Sequence, residues 1–235
     1  MTRPLVSVIL PTFNASTYLP QAVRSVFRQE HRPIELIVVD DGSTDDTAAV
    51  LASLGLPIRY RRQENQGPGA ARSNGIRCAR GSTIGFIDSD DLWPDNKLAV
   101  QLNALEAARE AQVVAGKVQV ETIMAVDGPA PARFEPQGEP GYVTCFGSVL
   151  VRRSVFDRVD INPALRRGED LDWFLRAKEI GIVFTQVDDV VLRYRLHGDN
   201  LTAREKPHRP VLFEMIKQSL DRRRTSPAIR DGGSL

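Results

Sequence analysis

Three carboxylates, Asp88, Asp90 and Asp91, directly follow a short apolar run at residues 83–87. An apolar run of this length that ends in polar residues predicts a buried strand of a parallel sheet. Ligands of open α/β sheets bind beyond the carboxyl ends of the strands, which is where these side chains would lie. Side chains alternate along an extended backbone, so Asp88 and Asp90 can point the same way. Carboxylates this close repel one another unless a cation lies among them, so the pattern indicates a divalent metal ion that holds a phosphate.

The alternative for this acidic stretch is a solvated turn in which Asp91 caps a helix that starts near Pro94. The position of the three carboxylates after a predicted buried strand favours the metal site. For Asp91 the alternatives are a position just outside the ligands of the metal and the helix cap, and the cap is preferred.

The elements that must position these carboxylates alternate between strands and helices. Apolar runs predict the strands, and helical periodicity predicts the segments between them. The first helix is expected to be capped by Asn14 or Ser16, and the second by Ser43 or Thr44. Strands are expected at residues 5–10, 34–39, 57–62, 83–87 and 112–124, and helices at 14–29, 43–53, 70–80 and 92–111. This order predicts an α/β fold, a single domain with a mostly parallel central sheet and helices on both faces.

The regular alternation ends after residue 124. Residues 125–141 are rich in proline and glycine and are predicted to form a surface loop, a kind of segment that is often functional. Beyond it we expect strands at 143–152 and 190–196, a short helix at 154–159 and a longer helix at 168–181. An amphipathic basic helix is expected at 208–224, followed by a disordered tail.

Composition limits the classes of protein that fit. The chain has 235 residues, 42% of them hydrophobic, which is enough for a packed core. Its formal net charge of +1 gives no support to nucleic-acid binding. Cys78 and Cys145 have no metal-binding spacing and are predicted to be reduced thiols of an intracellular protein. No signal peptide and no membrane span is recognisable, so we expect a cytoplasmic location.

The polar strand ends together resemble the family 2 glycosyltransferases, which have the GT-A fold. The matching motifs lie at residues 8–14, 35–45, 65–75, 86–91, 168–170 and 194–197. Each motif alone is a weak signal, whereas six of them in the family's order make a strong match. The resemblance implies one GT-A domain at residues 1–202, with a nucleotide-binding half at 1–111 and an acceptor and catalytic half at 112–202. The basic helix then falls within 203–224 and the disordered tail at 225–235.

The resemblance implies a nucleotide site at the first strand ends. Pro11, Thr12, Phe13 and Asn14 would border the nucleotide, although an ordinary strand-to-helix turn would also explain them. Asp40 would accept a hydrogen bond from the base. Arg72 would contact the nucleotide, with a surface arginine as the alternative, and Asp88 would meet the ribose or the metal.

The resemblance also implies a metal site and a base. Asp90 would bind Mn²⁺ or Mg²⁺ directly, with Asp88 and His197 as further candidates, and Arg195 would pair with phosphate or brace Asp88 or Asp170. Asp170 matches the position of the carboxylate that takes the proton from the acceptor hydroxyl in the inverting enzymes of the family. The alternative is that Glu169 and Asp170 only stabilise a helix N-terminus.

These assignments together predict an inverting transfer of a sugar from a nucleotide-sugar donor, taken to be a UDP-sugar, to a saccharide or glycolipid hydroxyl. Two other functions stay open: a sugar nucleotidyltransferase, and a non-catalytic module that only binds the nucleotide sugar. The basic helix is expected to pack on the domain or on a second subunit of a homodimer. Its alternative is a weak peripheral contact with the inner face of a membrane.

Overall fold

The apolar runs form the strands of one mixed sheet. The structure is a computed structural model that describes residues 3–124, 133–198, 200 and 215–222. Within them, the strands are β1 (Val6–Thr12), β2 (Ile34–Asp40), β3 (Ile58–Arg62), β4 (Thr83–Phe86), β5 (Val113–Met124), β6 (Arg133–Tyr142), β7 (Val149–Arg152) and β8 (Phe184–Leu196). The helices are α1 (Leu19–Phe27), α2 (Thr47–Ser53), α3 (Pro68–Cys78), α4 (Lys97–Ala107) and α5 (Glu169–Glu179). The predicted α/β fold is confirmed.

The first four strands, which lie in the predicted nucleotide-binding half, form a purely parallel part of the sheet in the order β3-β2-β1-β4. The register aligns Thr12 with Asp40, so β1 and β2 end side by side. All seven residues of β1 are buried, as expected for a parallel strand that is covered on both faces. The polar residues at the strand ends are therefore brought together by the same pairing that buries the apolar runs.

The rest of the sheet is mainly antiparallel. The strand β7 pairs antiparallel with both β4 and β5, while β5 pairs antiparallel with β6 and parallel with β8. The two halves are thus joined through the short strand β7. Two apolar clusters cover opposite faces of this sheet, one containing residues of α1 and α4 and the other residues of α3 and α5. In β1, Val8 and Ile9 belong to different clusters because successive side chains point to opposite faces.

The predicted loop at 125–141 is wrong for its second part, because residues 133–142 form β6. This strand is mostly exposed and contains Pro136 and Pro140. Prolines and a lack of apolar alternation argue against a central strand, yet both are tolerated at a sheet edge, where one side of the backbone needs no partner. Residues 125–132 lie outside the described residues.

Three predicted helix caps are also wrong. The N-caps of α1 and α2 are Tyr18 and Asp46, so both helices start later than expected. Asn14 has a positive φ of 48° and accepts a hydrogen bond from the Thr44 amide, which connects the β1 and β2 loops. The α4 helix begins only at Lys97, because Leu92 first forms a bridge to Arg193 of β8. Asp91 is therefore too far from the helix to cap it.

Smaller differences concern the second half. The predicted strand at 143–152 contains a 3₁₀ turn, Phe146–Ser148, before β7, and the short helix is the 3₁₀ helix Arg153–Asp157. Of the predicted C-terminal helix, only residues 215–222 are described, and they are helical. They lie beside α5, where Ser219 and Arg222 donate hydrogen bonds to Glu179. In the described part of the chain we find no helix with the length and apolar character needed to cross a bilayer.

Candidate active site

A buried arginine, Arg72 near the start of α3, connects the acidic groups of the two halves. Its guanidinium donates to Asp88 and to Glu169, each at 2.5 Å, and lies 3.8 Å from Asp170 Oδ1. Its side chain is only 4% exposed and stacks over the Phe146 ring at 5.4 Å. The neighbouring carboxylates raise its pKa even though burial opposes this. Arg72 is thus the centre of an acidic cluster, and the surface alternative for it is wrong.

Asp170 lies at the open side of this cluster. Gly168 precedes α5 with a positive φ of 73°, a left-handed conformation that favours glycine and turns the chain so that Glu169 and Asp170 enter the first turn together. Asp170 Oδ2 accepts the Phe146 amide hydrogen at 2.9 Å. Its side chain is 24% exposed.

The surroundings of Asp170 change its acidity. Burial raises its pKa to about 7, with Glu169 and Asp88 adding to the rise, while Arg72 and the Phe146 amide oppose it. A carboxyl group with this pKa can both accept and release a proton near neutral pH, which is what a general base requires. Burial and the adjacent Asp90 also raise the pKa of Asp88, although Arg72 acts in the opposite direction.

Asp90 and His197 face each other on the other side of the strand ends. His197 Nε2 is 3.2 Å from Asp90 Oδ2, and Asn200 Nδ2 donates to the same oxygen at 2.9 Å. The His197 ring also packs against Tyr18, with centroids 4.5 Å apart. The structure therefore brings together two of the three predicted metal ligands, whereas the third, Asp88, is bonded to Arg72.

The donor set at Asp90 and His197 fits a divalent cation. Carboxylate oxygens suit Mg²⁺ and Mn²⁺, and imidazole is the commonest side-chain metal ligand. No group of three or more His, Cys, Asp or Glu side chains that could hold a metal ion is found within the described ranges. A cation held by one or two protein ligands would complete its coordination with water and phosphate oxygens, as Mg²⁺ does in many phosphate-binding sites.

Arg195 supports this pair from beneath. It is 1% exposed, donates through Nε to the Asp90 carbonyl, and its guanidinium lies over the rings of Tyr18 and Phe134. Its amide donates to Asp91 Oδ1 at 2.9 Å. Asp91 is buried, and burial with two acidic neighbours raises its pKa well above the ordinary value. Arg195 therefore braces the main chain at Asp90, and does not contact Asp88 or Asp170 as one prediction had it.

The predicted nucleotide residues lie at the ends of β1 and β2. Phe13 is 48% exposed, while Thr12 is buried and its Oγ1 atom has no hydrogen-bond partner among the residues that the structure describes. Pro11 aligns with Val39 in the β1–β2 register. Asp40 is fully buried and accepts hydrogen bonds from the Ser43 amide and from the Tyr60 hydroxyl.

The neighbouring Asp41 shapes the next loop. Its carboxylate accepts hydrogen bonds from the backbone amides of Gln66 and Gly67, which directly precede α3. Asp41 therefore fixes where α3 starts and, through α3, where Arg72 lies. The local sequence does not indicate this role, because the two partners of Asp41 are 25 and 26 positions away.

Three contributors to the site escaped prediction from the sequence. Phe146, Asn200 and Tyr18 contact Asp170, Asp90 and His197, respectively. Asn200 lies next to a recognisable motif, and its polar side chain was the only signal that could have marked it. Glu169 belongs to a recognised motif, but its ion pair with Arg72 was not expected.

Comparison with solved structures defines the class of fold. The chain superposes on S. aureus TarS 1–349 in complex with UDP-GlcNAc with a TM-score of 0.72, at 19% identity over 92% of this chain and 66% of that one. It also superposes on a mannosyltransferase, PcManGT from Pyrobaculum calidifontis in complex with GDP-Man and Mn²⁺, with a TM-score of 0.65 at 20% identity. That match covers all of this chain and 66% of the other. The architecture is that of a GT-A domain.

Sequence comparison identifies the family. The profile of Glycosyl transferase family 2 matches residues 7–159, more than half of the chain. The protein belongs to this family.

The curated relatives differ in how much of their length the chain spans. The putative teichuronic acid biosynthesis glycosyltransferase TuaG of Bacillus subtilis is 29% identical, with 86% of this chain and 82% of that protein aligned. Chondroitin synthase of Escherichia coli is 27% identical over 93% of this chain but only 33% of its own length. An uncharacterised glycosyltransferase of Rickettsia felis is 42% identical over 103 residues, which are 43% of this chain and 17% of that protein.

Proposed function

We propose that this chain transfers a sugar, with inversion, from a nucleotide-sugar donor to a hydroxyl of a saccharide or glycolipid. The donor is taken to be a UDP-sugar, since TarS was solved with UDP-GlcNAc. The observation that carries the proposal is the position of Asp170. It faces the cluster around Arg72 at the carboxyl ends of the strands, with its pKa raised to about 7.

Asp170 acts as the base in this proposal. The acceptor hydroxyl loses its proton to a carboxylate oxygen of Asp170 as it attacks the anomeric carbon on the face opposite the diphosphate. The Phe146 amide and Arg72 keep the carboxylate oriented toward the opening of the site. A positioned base of this kind contributes about 10²–10⁴ in rate. One base and a direct displacement account for inversion at the sugar carbon.

The donor lies along the strand ends in this proposal, with the base of the nucleotide near the residues that end β1 and β2. The exposed Phe13 ring and the Thr12 Oγ1 atom, which has no hydrogen-bond partner among the described residues, support this placement. Asp40 is buried, so it would accept a hydrogen bond from the base in exchange for the one from the Tyr60 hydroxyl. Asp90 and His197 would hold Mn²⁺ or Mg²⁺, with Asp88 as a further ligand or a ribose contact. When bound, such an ion neutralises charge on the leaving diphosphate.

The test is turnover of a panel of sugar nucleotides with Mn²⁺, first without an acceptor, to detect slow hydrolysis and identify the donor. Asp170→Asn should lower turnover by about 10² or more and leave donor binding nearly unchanged. Asp172→Asn is the matched control, because Asp172 lies in the same helical turn but bonds to Arg176. Near-native turnover of Asp170→Asn would assign the base to another group, with Glu169 next. Donor binding without any turnover would instead indicate a binding module.

A further inference from the structure

A lysine on α4 lies beneath the turn that holds Asp170. Lys97 is fully buried, and its ammonium donates to the Gly147 carbonyl at 3.0 Å while lying 4.9 Å above the Trp93 ring. Within the described residues the hydrogen-bond partner of this ammonium is a carbonyl and not a carboxylate, and the titratable group that acts on it is the thiol of Cys145. A buried amine without a counter-ion is costly, and burial lowers the pKa of Lys97 to about 7. An apolar residue would fill the same space without that cost.

The turn that Lys97 contacts is the 3₁₀ turn Phe146–Ser148. One helical turn further along α4, Gln101 donates to the Ser148 carbonyl at 2.9 Å, so two polar side chains of one helix hold consecutive carbonyls of this turn. On its other side, the turn presents the Phe146 amide to Asp170 and the Phe146 ring to Arg72. A single short turn therefore connects α4 to the acidic cluster.

We propose that Lys97 is a positioning residue for Asp170: by fixing the Gly147 carbonyl, it holds the 3₁₀ turn in the orientation that points the Phe146 N–H at the Asp170 carboxylate. The Phe146 amide and the Gly147 carbonyl belong to the same turn. When the carbonyl loses its hydrogen bond to Lys97, the amide is therefore free to rotate away from Asp170. The role of Asp170 as base rests on the proposed function, whereas the link between Lys97 and Asp170 can be measured without any sugar present.

The variant Lys97→Met keeps the length of the side chain and removes the amine. Loss of the Phe146 hydrogen bond should raise the pKa of Asp170, because that bond stabilises the ionised form. A hydrogen bond to a charged group corresponds to about one pKa unit or slightly more. Arg72, Glu169 and Asp88 also act on Asp170, and the variant leaves all three in place. The thiol of Cys145 interacts with both Asp170 and Lys97, but burial raises its pKa to about 12, so it stays protonated over the range in which Asp170 titrates.

The measurement is NMR of the free protein, following the carboxyl carbon of Asp170 and the amide of Phe146 as pH is varied. In the parent protein, the Phe146 amide shift should titrate together with Asp170. In Lys97→Met we expect an Asp170 pKa higher by about one unit and a Phe146 amide that no longer follows it. Leu102→Ala is the control, because it removes apolar packing from the same helix and Leu102 has no polar group for the carbonyls of the turn. It should leave both titrations unchanged.

Two results would overturn the proposal. In one, a folded Lys97→Met keeps the parent titration of both groups. In the other, Lys97→Met raises the pKa of Asp170, but the Phe146 amide shift still titrates together with Asp170. The ammonium would then act on Asp170 only as a distant charge. If Lys97→Met does not melt cooperatively, Lys97→Leu, which is shorter and has no donor for the Gly147 carbonyl, gives the same test. In a transfer assay, the pH profile of Lys97→Met should move with the Asp170 pKa, and an inactive parent would contradict the proposed function alone.

Discussion

Ionised Asp170 should destabilise the fold, so Asp170→Asn should be more stable than the parent protein at alkaline pH. The pKa of Asp170 rises from an ordinary 3.8 to about 7 in the folded chain. Between these values the folded state holds a proton that the unfolded state has lost, so stability falls as pH rises, by about 1.4 kcal/mol per pH unit. Stability from this group is complete below pH 3.8 and is lost as pH passes 7. Asparagine keeps the shape and can still accept the Phe146 amide hydrogen, but it has no charge to bury.

Because of the raised pKa of Asp170, the parent protein should lose about 4 kcal/mol of its free energy of unfolding at pH 8 and about 1.5 kcal/mol at pH 5, both relative to low pH. Urea unfolding of both proteins at pH 5 and pH 8 measures it, and the advantage of Asp170→Asn should grow by about 3 kcal/mol between the two. Asp172→Asn, in the same turn but paired with Arg176, should show no such gain. A stability difference that stays constant or shrinks as pH rises would refute the reasoning.

Three further predictions concern other parts of the molecule. Asp90→Ala should abolish the Mn²⁺-dependent part of UDP binding and leave the fold intact, as followed by calorimetry with and without Mn²⁺; unchanged metal-dependent affinity would remove Asp90 from the site. Gly75→Ala should destabilise by about 1–3 kcal/mol, because the added carbon would lie 2.4 Å from Ile9, whereas Gly141→Ala meets nothing and should be neutral by thermal melting. A chain that ends at residue 202 should melt about 2–4 °C lower for each kcal/mol lost, because it lacks the hydrogen bonds to Glu179. The membrane alternative would be favoured if the intact chain bound vesicles strongly, the shortened chain did not, and both had the same melting temperature.

The sequence by itself determined the parallel core and the location of the site. Apolar runs long enough to bury both faces, such as residues 6–12, have few alternatives to a parallel strand, so β1, β2 and β4 could be predicted closely. The carboxyl ends of such strands lie at one edge, which brought Asp40 and Asp88 to the site without any knowledge of their partners. The family could likewise be identified from the motifs, because they stand at these same strand ends.

Helix starts and the edge strand could not be predicted in this way. A capping residue such as Asn14 is recognised by its type, but tertiary hydrogen bonds to the β2 loop engaged it instead. The strand β6 has neither the apolar alternation nor the freedom from proline that marks a strand, since an exposed edge needs neither. Local patterns carry no information about which loop a polar side chain will reach.

The connections inside the site were decided only by the tertiary structure. Arg72 and Glu169 are 97 residues apart, and the Arg195 amide reaches Asp91 across 104 residues. From the sequence, Arg72 could be either a surface residue or a contact of the nucleotide, and Asp91 was predicted to cap a helix. Pairing energies between buried charges depend on distances of a few ångströms and on exclusion of water, and neither exists until β7 and α5 have folded against the parallel core. The identity of the carboxylates could therefore be read from the chain, whereas the raised pKa of Asp170 arises only from the folded arrangement around it.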